Sequence, residues 1–255
     1  MFLEVNGLSV LGVFGSPRKD GLSSQLVDST LEGAESAGVQ TKRLYLMDYW
    51  PSKHEAAPWI HPRIKKVDDI VAEADAIVLG SPVYYKDVSW LMKWFIDYIH
   101  GTRIPGIDGE PALGISVAGG SGMGQITALR SMYGFFFFTG SRPIDPIPVS
   151  RFSFDKALEE AYKSGRKLAE LSGQRQPFKG LAEKISYYYS LRYLNYDIVD
   201  EILLLAEQLL DSSEKDRTIL EHCRSEYEEA KSLTDRGRKT EAIRHAVNIY
   251  HTLYY

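Results

Sequence analysis

Three short stretches carry the residue types that could grip a phosphorylated ring: Gly15-Ser-Pro-Arg-Lys-Asp-Gly-Leu-Ser-Ser24, Gly80-Ser-Pro-Val-Tyr-Tyr85 and Ala118-Gly-Gly-Ser-Gly-Met-Gly124. The first suits a phosphate. A Gly/Ser-rich turn opening a helix offers unpaired N–H groups and a partial positive charge. Ser16, Ser23 and Ser24 add hydroxyl donors, and Arg18 adds a fixed cation. The turn lacks the Gly-Lys-Ser/Thr ending of a nucleotide-triphosphate loop and the Gly-x-Gly-x-x-Gly of a dinucleotide site. What remains can hold a terminal phosphomonoester, as a mononucleotide presents. The same serines equally suit an ordinary helix cap, and on this stretch alone the two readings are even.

In the second stretch Pro82 makes a rigid wall, and Tyr84 or Tyr85 can stack on or edge a ring; a plain turn with surface tyrosines is the alternative. In the third, glycines permit close backbone approach; a flexible connector is the alternative. Met47–Pro62 reads as a long irregular loop holding Trp50, His54, Trp59 and His61. These four either wall a substrate site or pack the loop against a sheet, and packing is favoured. Lys93 and Asp97, four apart, suit a surface ion pair. The single cysteine, Cys223, excludes an intrachain disulfide and a Cys-ligated iron–sulfur cluster held by this chain alone. It reads as an inert buried thiol. No metal site is expected.

The elements that must position these stretches alternate. Leu8–Phe14, Ala76–Leu79 and Ala112–Val117 are apolar runs suited to buried strands; Thr41–Leu46 is a more charged edge strand, and Gly140–Val149 holds a last strand broken by prolines. Helical spacing fills the intervals: after Gly21 to Gly38, Pro62–Ala74, Ser89–His100, Met123–Phe137 and Phe154–Leu171. Five strands alternating with helices predict a doubly wound α/β domain with a parallel sheet. In such sheets ligands bind at the carboxyl edge, at the switch point of strand order, where the three stretches fall. Residues 1–173 form this domain. After the polar linker Gln174–Pro177, residues 174–255 read as an all-helical extension: Leu181–Leu210, Glu214–Asp235 and Thr240–Tyr254, the last pair faintly like one tetratricopeptide unit.

The chain has 255 residues, 44% hydrophobic, with formal net charge −4, enough for one sizeable core. That charge supplies no basic field for nucleic acid. No apolar run approaches the roughly 20 residues of a membrane span, and the first residues lack signal-peptide character. A soluble, cytoplasmic protein is expected.

With these motifs in view, the chain resembles the NADPH-dependent FMN reductase family of the flavodoxin-like superfamily, over about the first two-thirds of its length. The resemblance rests on Gly15-Ser-Pro-Arg-x-x-Gly-x-Ser23, Gly80-Ser-Pro-Val-Tyr84 with Lys93 and Asp97 downstream, and Gly119-Gly-x-Gly-x-Gly124. It implies a five-stranded sheet of order 2-1-3-4-5. It implies that Ser16, Arg18, Ser23 and Ser24 hold an FMN phosphate, that Pro82, Val83 and Tyr84 lie along the isoalloxazine, and that Gly119, Gly120 and Gly122 touch its other edge. It implies NADPH or NADH as electron donor, a small-molecule acceptor, and a dimer or tetramer. No catalytic side chain is needed for hydride transfer to the flavin. The alternative is a flavodoxin-like electron carrier, or a scaffold without turnover. Relatives in the iron–sulfur flavoprotein branch have Asn-Thr where this chain has Leu22-Ser23, and cluster cysteines where Met47–Pro62 has none.

Overall fold

A computed structural model describes residues 7–50, 62–102 and 107–255. The chain runs through β1 (Ser9–Phe14), α1 (Leu22–Ser36), β2 (Gln40–Tyr45), α2 (Pro62–Ala72), β3 (Ala76–Tyr84), β4 (Asp87–Val88) and α3 (Trp90–Thr102). It continues through β5 (Pro111–Ala118), α4 (Gln125–Thr139), β6 (Arg142–Pro143), β7 (Ile147–Ser150) and α5 (Phe154–Leu171). The sheet order is β2-β1-β3-β5-β6, with β7 also parallel to β5 and β4 antiparallel to β3. Counted without the β4 hairpin, and with β6 and β7 as one interrupted strand, this is the expected flavodoxin-like order.

Side chains alternate across the sheet, as a strand's period of two requires. Leu11, Val13, Ile77 and Leu79 face a core shared with α2, α3 and α4. Val10, Val78, Leu113, Ile115 and Val117 face a second core shared with α1 and α5. Both faces are covered, which is why the central strands read as continuous apolar runs.

One strand departs from the sequence expectation, and the last, expected to be broken by prolines, is broken. β3 does not end at Leu79; Gly80, Ser81 and Pro82 pair with Ile115, Ser116 and Val117 before the chain turns back as β4. The last strand is split because Pro146, lacking an N–H, cannot continue the ladder. Tyr133 spans the gap: Gly114 N donates to its hydroxyl (3.4 Å), which donates to Ile144 O (2.6 Å). Its complete burial holds the phenol well above its ordinary pKa.

Helices α1 and α5 cross at Gly33 and Gly165. A Cβ on Gly33 would come within 2.0 Å of Tyr162 O, and one on Gly165 within 1.8 Å of Thr30 O. Backbone against backbone leaves nothing to rotate aside.

Beyond α5 lie α6 (Leu181–Ser190), α7 (Ile198–Ser212), α8 (Arg217–Asp235) and α9 (Lys239–Tyr254). The single helix expected over Leu181–Leu210 is two. The break is enforced by Tyr193 at φ +66° and by a reciprocal capping box between Asp197 and Asp200. α6 lies on the α4 side of the sheet, where Tyr187 and Tyr188 donate to Pro143 O and Ser141 O at 2.9 and 2.8 Å. α7, α8 and α9 share a third core that includes the buried Cys223, whose thiol burial pushes up in pKa. Among the described residues no helix is long and apolar enough to cross a membrane.

Glu110 sits just before β5, at the sheet edge opposite the three glycine-bearing loops. Its Oε2 has no hydrogen-bond partner among the described residues, and Arg175 Nε lies 3.7 Å from Oε1. Burial, reinforced by Asp75 and opposed by Arg175, pushes its pKa from 4.5 to about 7. Between those values the folded state binds the extra proton, so stability falls as pH rises, by up to roughly 3 kcal/mol. Urea unfolding from pH 5 to 8 is expected to show this fall, and Glu110→Gln to flatten it. A second expectation concerns the helix crossing. Helix propensity alone has Gly165→Ala stabilise by roughly 1 kcal/mol, but the contact with Thr30 O makes it destabilise by about 1–3 kcal/mol or more.

Candidate functional site

The carboxyl ends of β1, β3 and β5 open onto a cavity of about 620 Å³, within the size range of small-molecule sites. All three motif-bearing stretches reach it, since β1 and β3 are adjacent while their chain connections leave on opposite faces of the sheet.

The first wall is the turn between β1 and α1. Arg18 N donates to Ser16 Oγ (3.1 Å), which closes the turn and leaves the Ser16 hydroxyl hydrogen free to point elsewhere. Ser24 N and Gln25 N both bond back to Gly21 O, leaving the N–H groups of Leu22 and Ser23 at the open end of α1. Ser23 is only 3% exposed, lines the cavity, and its hydroxyl has no partner among the described residues. Arg18 also lines it, and its ion pair with Asp20 is long (3.4 Å) and solvent-exposed, hence weak. The wall therefore presents two hydroxyls, a helix N-terminus and a cation with little prior engagement.

The second wall is the β3–β4 hairpin, which contributes Pro82, Val83, Tyr84, Tyr85 and Lys86. Its tip is strained: Tyr85 and Lys86 stand at φ +49° and +64°, the positive values that primed hairpin turns demand and that Asn or Gly fill at lower cost. Thr127 Oγ1 donating to Lys86 O, and Ser131 Oγ to Asp87 Oδ1 (2.6 Å), tie the strained tip to α4. At the hairpin base Ser89 N donates to Ser81 Oγ (2.9 Å), and Ser89 Oγ donates to Gly15 O (2.5 Å). The first two walls are thus joined through one serine.

The third wall is Val117 to Ser121 with Met123. Nothing lies within 4 Å of a Cβ built on Gly119 or Gly120, so bare backbone faces the opening.

Of the residues expected from sequence, Ser16, Arg18, Ser23, Pro82, Val83, Tyr84, Gly119 and Gly120 meet in this cavity. Ser24 and Gly122 do not line it. The Ser24 hydroxyl donates inward to Arg18 O (3.0 Å), bracing the turn. Gly122 lies against α7, where a Cβ would come within 2.7 Å of Leu205 Cδ1. Lys86, Ser121 and Met123 line the cavity although sequence reasoning passed over them; Lys86 was signalled only by directly following Tyr84-Tyr85. Trp50 packs edge-on against Trp90 and Trp94, with centroids 4.4 and 5.5 Å apart. His54, Trp59 and His61 lie outside the described residues. Lys93 and Asp97 form the expected exposed ion pair.

A doubly wound sheet with a phosphate-type turn, an aromatic hairpin and a glycine loop at one switch point defines a flavodoxin-like protein. Comparison with known proteins bears on which kind. Residues 8–144 match the NADPH-dependent FMN reductase family. An iron–sulfur flavoprotein of Methanocaldococcus jannaschii is 30% identical over 193 residues, 64% of this chain and 97% of that protein. Among solved structures, an NADH:FMN oxidoreductase superposes with TM-score 0.55 at 18% identity, over 69% of this chain and 97% of that one. An NAD(P)H:quinone oxidoreductase from Methanothermobacter marburgensis gives 0.51 at 19% identity, over 64% and 96%. The chain belongs to the NADPH-dependent FMN reductase family. At such low identity the two structural likenesses show the fold.

The strained hairpin carries its own expectation. Replacing Tyr85 with Asn and Lys86 with Gly relieves positive-φ strain on the order of 1 kcal/mol per residue. The double variant should therefore unfold at higher urea concentration than the parent. An unchanged or lower midpoint would show that the two side chains contribute more than their strain costs.

Proposed function

We propose that this chain is an FMN-dependent oxidoreductase that takes electrons from NADPH or NADH and passes them to a small-molecule acceptor. The observation carrying this reading is the convergence, in one cavity, of a phosphate-type turn, a proline–tyrosine wall and an open glycine backbone.

The residues fit the cofactor. The unpartnered Ser23 hydroxyl, the Ser16 hydroxyl, the N–H groups of Leu22 and Ser23 and the Arg18 guanidinium suit a dianionic phosphate. Charge-assisted hydrogen bonds at a helix N-terminus favour just such a group. Pro82, Val83 and Tyr84 offer a flat wall to the ring. The bare backbone of Gly119 and Gly120 offers close approach on the other side. When bound, FMN would supply the redox chemistry, and the protein supplies position and electrostatics. No acid or base side chain is assigned. With one cysteine, this chain's own ligands cannot hold the iron–sulfur cluster for which the archaeal relative is named.

An electron carrier would use the same cofactor contacts. The formal net charge of −4 over 255 residues favours the reductase, because a carrier that docks by charge calls for a stronger field.

The purified protein, reconstituted with FMN, is expected to be yellow and to bleach under anaerobic NADPH or NADH. A protein that retains no FMN overturns the cofactor assignment. One that binds FMN but stays yellow with both nucleotides points to the carrier. Arg18→Ala and Ser16→Ala should each weaken FMN binding by about tenfold or more, while weakening riboflavin, which lacks the phosphate, far less. Fluorescence quenching titrations measure both.

A further inference from the structure

We infer that the C-terminal helices are part of the flavin site: Glu201 on α7 is a positioning residue that holds the glycine loop 118–124 in its ligand-ready shape. This rests on the flavin reading above for the identity of the ligand, but not for the positioning itself.

Gly124, φ +97°, is the N-cap of helix α4 and has no side chain with which to cap it. The missing acceptor comes from far along the chain. Glu201, 3% exposed, accepts from Gly124 N (2.9 Å) and Ile126 N (3.0 Å) through the same oxygen, Oε1. A carboxylate is withdrawn from water only where charge and hydrogen bonds compensate it, and a helix N-terminus supplies both.

One turn further along α7, Leu205 fills the space beside Gly122. Another turn on, Gln208 exchanges two 3.0 Å amide hydrogen bonds with Gln125, and its Nε2 also reaches Pro148 O at 3.2 Å. The Gln125 amide in turn donates to Gly122 O (2.8 Å). From α9, Tyr250 and Tyr254 donate to the carbonyls of Ser121 (3.2 Å) and Gly120 (3.3 Å). Met123 belongs to both sides, lining the cavity while packing on the α7–α9 core.

The loop has reason to need this. Gly120, Gly122 and Gly124 all stand at positive φ, and glycine loses more freedom than any other residue when ordered. A ligand that had to order such a loop itself would bind more weakly by that entropy. With the loop ordered in advance, and the carbonyls of Gly120 and Ser121 turned outward to α9, the backbone along the cavity side is set before any ligand arrives. The capping carboxylate also occupies the α4 N-terminus, so the open N–H groups of α1 are left as the anion site.

The test uses the full chain. In Glu201→Ala, hydrogen exchange of the amides from Gly119 to Ile126 should accelerate at least about tenfold, while the central strands keep their protection. FMN affinity should fall by about tenfold or more. Glu201→Gln retains an acceptor oxygen and should restore most of both. If Glu201→Ala fails to fold, the double variant Tyr250→Phe/Tyr254→Phe takes its place, with loop exchange faster and FMN affinity about threefold lower or worse. Loop exchange unchanged in the folded variant overturns the inference. So does exchange that rises equally everywhere, or FMN affinity unchanged despite a loosened loop. A parent protein that binds no FMN overturns the flavin reading and the ligand half of this inference together. The exchange measurement needs no flavin, and tells that failure apart from a failure of positioning.

Discussion

The site depends on one close approach of backbone to backbone. At the carboxyl end of β1, Gly15 N donates to Gly80 O of β3 at 2.8 Å. Beyond this bond the two chains part, one toward α1 and the other into the hairpin. Neither glycine tolerates a side chain: a Cβ on Gly15 would lie 2.9 Å from Gly80 O, and one on Gly80 2.2 Å from Val27 Cγ2. That contact lets α1 settle close over the strand ends, so its N-terminus reaches the cavity and not the rim of the sheet. Ser89, donating to Gly15 O, carries the same constraint into the second wall.

How much of this was legible depended on how local the cause was. β1 and α5 could be placed within a residue or so, because apolar runs and a 3.6-residue period are properties of contiguous sequence. The three loops were legible because glycine, serine and proline announce turns. β3 was read too short because Gly80-Ser-Pro looks like a stop, yet pairing with β5 overrides that local preference. The break near Tyr193 was missed although Asp197 and Asp200 have capping-box spacing, because the surrounding tyrosines and leucines keep a helical rhythm. Residue type and the family resemblance both point Ser24 at the phosphate, whereas its hydroxyl turns inward to Arg18 O, an orientation that no local pattern encodes.

Glu201 was beyond reach. Nothing in Asp197-Ile-Val-Asp-Glu-Ile202 says that one carboxylate is buried and serves a helix that starts some 77 residues earlier. Long-range polar pairs leave no local pattern. They show in sequence only as a charge at a position where the helix period calls for an apolar residue. Glu201 sits beside Ile202 and Leu205 on just such a buried face. The match to the reductase family ends at residue 144, so that family resemblance does not reach it either.

The outer face of α4 has a consequence for how far such a chain can be divided. Phe137 lies against Tyr188 of α6, and Arg130 donates to the carbonyls of Leu194 and Tyr196. In a bare α/β domain that face would meet water, and Phe137 would stand uncovered beside the already exposed Phe138. Phe135 and Phe136 point into the sheet-facing core and Phe138 stays largely exposed, so Phe137 is the one ring of this run that the later helices cover: without them it would need a polar replacement or a partner over it. The appendage is thus bound to the core through α4 as well as through the glycine loop, and exchanging it for another module would strip both.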